Sequence, residues 1–149
     1  MRDSHFEGLI KMFHSAPIQD LLAGAEIHLQ EGKAEYLLKI KWDYFHAASA
    51  LHGAIYFKLL DDSAYFAAAT LERKFFLLTK SYQINFRRPV QEDILTAKGG
   101  VFSSNHNEII AKSAVYNQVG KLVADGEGVF VRSKMLLKDQ QGYGKGLTS

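Results

Sequence analysis

The stretch "LHGAIYFKLLDDSAYFAAA", residues 51 to 69, holds the side chains with the strongest claim to chemistry. Two adjacent acids, Asp61 and Asp62, interrupt a mostly apolar segment that opens on His52-Gly53. On a helix, Lys58 reaches Asp61 at i+3 and Asp62 at i+4, and one lysine cannot fully serve both. Asp61 has the more apolar neighbours, Phe57, Ala64 and Tyr65, while Asp62 has the better claim on Lys58. Two readings are open. Both acids can lie on a solvated stripe, as carboxylates mostly do. Alternatively, Asp61 sits in a pocket, where desolvation raises its pKa and makes it a usable base or nucleophile.

His52-Gly53 stands where this helix would begin. A helix start leaves backbone N–H groups unpaired and carries partial positive charge, and a glycine lets a carbonyl approach closely. Such a site can stabilise an oxyanion. Gly53 and Asp61 are eight residues apart, ~12 Å along one axis, so one helix cannot bring both to the same carbon. Two antiparallel copies can. Cooperation between these residues therefore calls for a composite site and at least a two-fold dimer.

The elements that must hold these residues are readable from periodicity. Phe6, Leu9, Ile10 and Phe13 recur at helical spacing, which predicts an N-terminal helix over about 3–22, interrupted at Pro17. From Ala25 the period becomes two. "AEIHLQ" and "AEYLLKIKW" flank "EGK" as a hairpin, with Tyr36, Leu38, Ile40 and Trp42 on one face. An irregular connector leads into the long helix. Four strands follow. In the first, Leu78, Tyr82, Ile84 and Phe86 alternate against Thr79, Ser81, Gln83, Asn85 and Arg87, with Lys80 out of pattern. The last ten residues, 140–149, read as frayed or disordered. The order predicts an α+β domain spanning 1–149, its antiparallel sheet wrapped around one long central helix.

Composition narrows the function. With 149 residues the chain can bury a sizeable core, and its 47% hydrophobic and 23% charged residues are ordinary for a globular protein. The absence of cysteine excludes disulfides, Cys-ligated metals and thiol nucleophiles. A net charge of +2 gives no argument for nucleic acid. No apolar run is long enough to span a bilayer, and "MRDSHFEGLIKMF" mixes both charge signs, so a soluble, cytoplasmic protein is expected. There is no G-x-S-x-G elbow, no phosphate-cradling glycine loop and no dinucleotide fingerprint.

"LHGAIYFKLLDDSAYFAA" resembles the "HGG…D" segment of hotdog-fold acyl-CoA thioesterases, in particular the phenylacetate-pathway type and its relatives. The resemblance covers roughly residues 24–132, including the strand order and the "NFRRPV" segment. It implies a hotdog fold with an extra N-terminal helix, and a homodimer or homotetramer that hydrolyses acyl- or aryl-CoA to the free acid and coenzyme A. It implies four roles. Gly53 polarises the thioester carbonyl through its N–H. Asp61, nine residues after His52, attacks the carbonyl or activates water. Thr79, counted back from Pro89, positions that water. His46 falls where many members have an Asn that contacts substrate or water. His52 and Ala54 flank the glycine as substrate contacts. Ala54 replaces the second motif glycine and narrows the site. A glycine is also missing upstream, where "ASA" stands. These departures keep a second reading alive, a non-catalytic hotdog dimer that binds or senses acyl-CoA or a lipid-like ligand.

Arg87 and Arg88 suit the phosphates of a coenzyme A carrier, because the guanidinium fork matches phosphate oxygens. Ser104 and Asn105 are further candidates for that role. His46 and His52 form H-x₅-H, which is no recognised zinc pattern, so neither a metal nor a cofactor beyond the substrate's own coenzyme A is expected. Hydratases of this fold use an Asp followed five residues later by a His. Asp43 and His46 are only three apart and do not fit.

Overall fold

The computed structural model describes residues 3–144. Helix α1 (Ser4–Ser15) is capped by Asp3, whose carboxylate accepts from the His5 N–H at 2.9 Å. Pro17 ends it, having no N–H to donate, and the chain continues as a short 3₁₀ helix, Pro17–Leu21. The helix expected over about 3–22, interrupted at Pro17, is therefore two separate helical pieces. Strands β1 (Glu26–Gln30) and β2 (Lys33–Lys39) form the expected hairpin, turning at Gly32 with φ 73°. Helix α2 (Gly53–Ala69) follows, then β3 (Phe75–Phe86), β4 (Ile94–Ser104), β5 (Ile109–Tyr116) and β6 (Leu122–Leu136).

All six strands form one antiparallel sheet in the order β1-β2-β4-β5-β6-β3. The sheet wraps α2, whose Leu59, Leu60, Ala64, Ala67 and Ala68 are fully buried. This is the hotdog arrangement that the resemblance implies. The alanines leave room for close approach, and Gly99 of β4 uses it: a Cβ there would lie 2.0 Å from the Ser63 carbonyl oxygen. Ser113 of β5 donates to the Leu60 carbonyl at 2.8 Å, fixing the helix to the sheet's middle. No helix among the described residues is long and apolar enough to cross a membrane.

Three expectations are corrected. Trp42 does not extend the apolar face of β2; the strand ends at Lys39, and Trp42 lies in a 3₁₀ turn, 72% exposed. In β3 the alternation runs the other way at its start. Leu77 is buried and Leu78 is 45% exposed, while Thr79 pairs with the buried Phe130 of β6. A bulge causes this. Thr79 pairs with Phe130 and Ser81 with Val129, so Lys80 is the extra residue, and Thr79 and Tyr82 both face α2 although three apart. Finally, the part of the C-terminal tail within the described residues is not frayed. Gly142 turns the chain at φ 87°, and Tyr143 packs on Gly8 of α1 with its hydroxyl 2.6 Å from His5 Nδ1. Residues 145–149 lie outside the described residues.

Candidate active site

Asp61 and Asp62 project from the middle of α2 into a cavity of about 300 Å³. Its walls come from α2 (Lys58, Tyr65, Phe66), β3 (Phe76, Leu77, Leu78, Thr79) and the N-terminal segment (Met12, Phe13, Ala16, Gln19). The solvated-stripe reading fails for both acids. Asp62 is buried and pairs with Lys58 Nζ at 2.5 Å, the two side chains being 12% and 18% exposed. This is the i,i+4 partnership that the spacing predicts. Burial still wins over the lysine and pushes the Asp62 carboxyl up to about 6.

Asp61 is half-buried and receives a hydrogen bond from Thr79 Oγ1 at 3.0 Å. Burial raises its pKa above the ordinary Asp value, against the Thr79 hydrogen bond and the field of Lys58. Sequence neighbours alone made Asp61 the more apolar of the two, but the fold buries Asp62 more deeply. What distinguishes Asp61 is its place: it reaches β3 and solvent, and among the described residues no cation pairs with it as Lys58 does with Asp62.

His52 is the N-cap of α2. Its Nδ1 accepts from the Ala54 N–H at 2.9 Å, and its carbonyl from the Ile55 N–H at 3.0 Å. Gly53 is the first helical residue, and its N–H is one of the four an α-helix leaves without an intrahelical acceptor. It lines a second cavity, of about 380 Å³, with His46, Tyr56, Phe86, Arg87 and Arg88. His46 Nδ1 accepts from the Ala48 N–H at 3.1 Å, so a neutral ring carries its proton on Nε2 and can donate from there. The loop that holds it turns at Ser49, which has φ 64°, in the "ASA" segment where the glycine is missing. Arg87 shares its guanidinium with Asp125 at 3.2 Å, while Arg88 is exposed beyond the end of β3. His52 and Ala54 line a third cavity, with Ile18, Leu21, Asp43 and Lys58.

Within one chain the candidates thus fall into separate groups. Asp61 and Thr79 share one cavity; Gly53, His46, Arg87 and Arg88 share another. Ser104 and Asn105 belong to neither. They lie exposed at the β4–β5 turn, where Asn105 Oδ1 accepts from the Asn107 and Glu108 N–H groups. Among the aromatics, Tyr65, Phe66 and Phe76 line the cavity beside Asp61, and Tyr56 lines the one beside Gly53. Gln19 was not foreseen. It is buried in the wall of the Asp61 cavity, although its neighbours Ile18 and Leu21 are exposed, so the local pattern pointed the other way.

Comparison with known proteins identifies the family and the fold. The profile of the thioesterase superfamily matches residues 48–124, the span from the His46 loop through α2 to the start of β6. A protein of Saccharolobus solfataricus whose name marks it as a candidate esterase is 26% identical over 114 residues, covering 75% of this chain and 81% of its own. Among solved structures, the PaaI protein of the E. coli phenylacetic acid degradation operon superposes with a TM-score of 0.77 at 21% identity, over 90% of this chain and 99% of its own. Zebrafish thioesterase superfamily member 2 gives a TM-score of 0.75 at 18% identity, over 85% of this chain and 95% of its own. At these identities the two structures speak for the fold.

Proposed function

Because the chain belongs to the thioesterase superfamily, we propose that it hydrolyses an acyl- or aryl-CoA thioester to the free acid and coenzyme A, in a site completed by two copies of the chain. The observation that carries this reading is the bond from Thr79 to Asp61, a carboxylate of raised pKa in an apolar cavity with no cation paired to it among the described residues. A base of raised pKa is better matched to work near neutral pH than an ordinary aspartate.

In the reaction, the Gly53 N–H of one copy donates to the thioester carbonyl oxygen and holds the charge that develops there. Asp61 of the other copy takes a proton from water as that water attacks, or attacks the carbonyl carbon itself. The tetrahedral intermediate then expels the coenzyme A thiolate, which takes up a proton; where Asp61 has attacked, water next hydrolyses the acyl–Asp61 anhydride, releasing the free acid and restoring the carboxylate. Thr79 spends its proton on Asp61, and its oxygen lone pairs remain to accept from the water. His46 donates from Nε2. Arg88, and Arg87 in exchange for Asp125, contact the carrier's phosphates. The reading calls for no metal or redox cofactor. Phe57, Leu78 and Phe86, exposed by 41%, 45% and 59%, flank the divided site and give a second copy apolar surface to cover.

A thiol-release assay across short, long and aromatic acyl-CoAs tests this. Asp61→Asn is expected to lower kcat/KM at least about 100-fold while eluting as the parent does. Equal rates would refute the mechanism. Thermal stabilisation of the parent by acyl-CoA with no thiol release from any of them would favour the binding-only reading.

A further inference from the structure

Lys58 precedes Asp61 by three residues and Asp62 by four, so helical spacing puts both acids within its reach. It goes to Asp62, where its Nζ donates to Oδ2 at 2.5 Å. Asp61 accepts instead from the neutral Thr79 hydroxyl. All four residues line one cavity. The remaining groups around Asp61 bring no second cation. Tyr65 of α2 and Tyr82 of β3 face it, both phenols that burial keeps neutral. The N-terminal wall supplies Met12, Phe13, Ala16 and Gln19, none of them charged. Asp62 faces Tyr36 of β2, another phenol kept neutral by burial. Lys58 also borders a second cavity with Asp20, Asp43 and His52, but among the described residues its ion pair is with Asp62.

A largely buried cation has lost much of its hydration, and removing its partner leaves an uncompensated charge. With Asp62 uncharged, the nearest carboxylate on the same helix face is Asp61, at i+3. A Lys58–Asp61 pair would weaken Asp61 in either role. It would occupy an oxygen that has to meet water or the carbonyl carbon, and it would favour the ionised form, making Asp61 a poorer base. The arrangement present avoids this. The field of Lys58 still reaches Asp61, but burial outweighs it. We propose that Asp62 is a positioning residue for the reaction: by holding the Lys58 ammonium it keeps that cation off Asp61 and leaves the Asp61 carboxylate free to act. The proposal rests on the thioesterase reading and deepens it. It also accounts for two adjacent acids of different function, one reacting and one occupying the lysine.

The test is a pair of variants in the thiol-release assay, followed across pH. Asp62→Asn keeps the shape of the side chain and removes its charge. The acidic limb of its pH–rate profile should move down by about one pH unit or more, as Lys58 turns to Asp61. Its kcat should fall about three- to tenfold. Adding Lys58→Met removes the cation as well, and the double variant should bring both limb and kcat back toward the parent's. Asp62→Ser serves in the same way if the Asn variant does not fold. A limb that stays in place, or a loss that removing Lys58 does not repair, makes Asp62 merely structural and overturns the proposal. If the parent cleaves no thioester, the thioesterase reading fails, and carbon NMR of labelled carboxyls reads the Asp61 titration directly, its signal assigned by its absence in Asp61→Asn. A midpoint that falls in Asp62→Asn and returns in the double variant upholds the hold on Lys58. One that stays, or falls without returning, overturns it.

Discussion

Thr79 reaches Asp61 because β3 gains a residue at Lys80. Without that bulge, strict alternation could not place both Thr79, which donates to Asp61 at 3.0 Å, and Tyr82, which bonds Ser113, on the side facing α2. The bond tunes the acid as well as placing it, since it favours the ionised carboxylate and opposes the upward pull of burial. Thr79→Ala should therefore lower kcat by about tenfold, the scale of a hydrogen bond to a charged group. It should also move the acidic limb of the pH–rate profile to higher pH, because Asp61 then binds its proton more tightly. Thr79→Ser should restore both. A limb that stays in place would show that Thr79 does not act through Asp61.

Asp61 and Asp62 also set a pH dependence of stability. Both have raised pKa values, so the folded chain keeps protons that the unfolded chain releases. Their contribution is greatest below the ordinary value of 3.8 and is lost as pH rises through the raised values, which for Asp62 means through about 6. Asp61→Asn removes one of these charges. Its melting temperature should exceed the parent's at pH 7 and converge with it as the pH falls toward 4, although its activity is lost. Calorimetry across that range checks the sign.

Gly53→Pro isolates the proposed oxyanion donor. Proline is favoured at the first position of a helix, and His52 before it has φ -69° and ψ 142°, the extended conformation a pre-proline residue takes. An added Cβ would meet only the Phe86 ring, at 3.5 Å. The substitution therefore deletes the N–H and spares the fold. Turnover should fall about 10²–10³-fold with an unchanged melting temperature. Mixing this variant with Asp61→Asn, then exchanging subunits, should return about a quarter of parental activity. Half of a randomly paired population is mixed, and one of the two sites in each mixed dimer is intact. No recovery after verified exchange would place both residues in one chain's site.

Ser49 holds a left-handed conformation, with φ 64°, that glycine adopts without steric cost. Ser49→Gly should stabilise the protein by about 0.5–1 kcal/mol, the relieved strain being partly offset by added freedom in the unfolded chain. Denaturant unfolding measures it.

The order of elements was legible because apolar periodicity records which face of each segment is buried. Pro17, Gly32 and the start of α2 at Gly53 stand where local chemistry puts them. The bulge at Lys80 was not legible. It is a backbone register shift, and its trace in the sequence was one residue out of pattern, so Leu78 and Thr79 were assigned to the wrong faces. The Lys58–Asp62 pair followed from helical spacing, but the depth of Asp62 did not. That depth depends on the N-terminal segment closing over the cavity, as does the burial of Gln19. Contacts between segments distant in sequence leave no local period to read.

Gly99 and Ser63 set a tolerance. The backbone of β4 lies so near the backbone of α2 that a Cβ at position 99 would fall 2.0 Å from the Ser63 carbonyl oxygen, two residues beyond Asp61. The helix that carries Asp61 is thus seated main chain against main chain, with no side chain between to act as a spacer. Repacking elsewhere in the core can change how firmly the helix is held, but its height above the sheet is gauged by the peptide groups themselves. The acid inherits that datum, and an enlarged residue 99 would lift it out of register with Thr79.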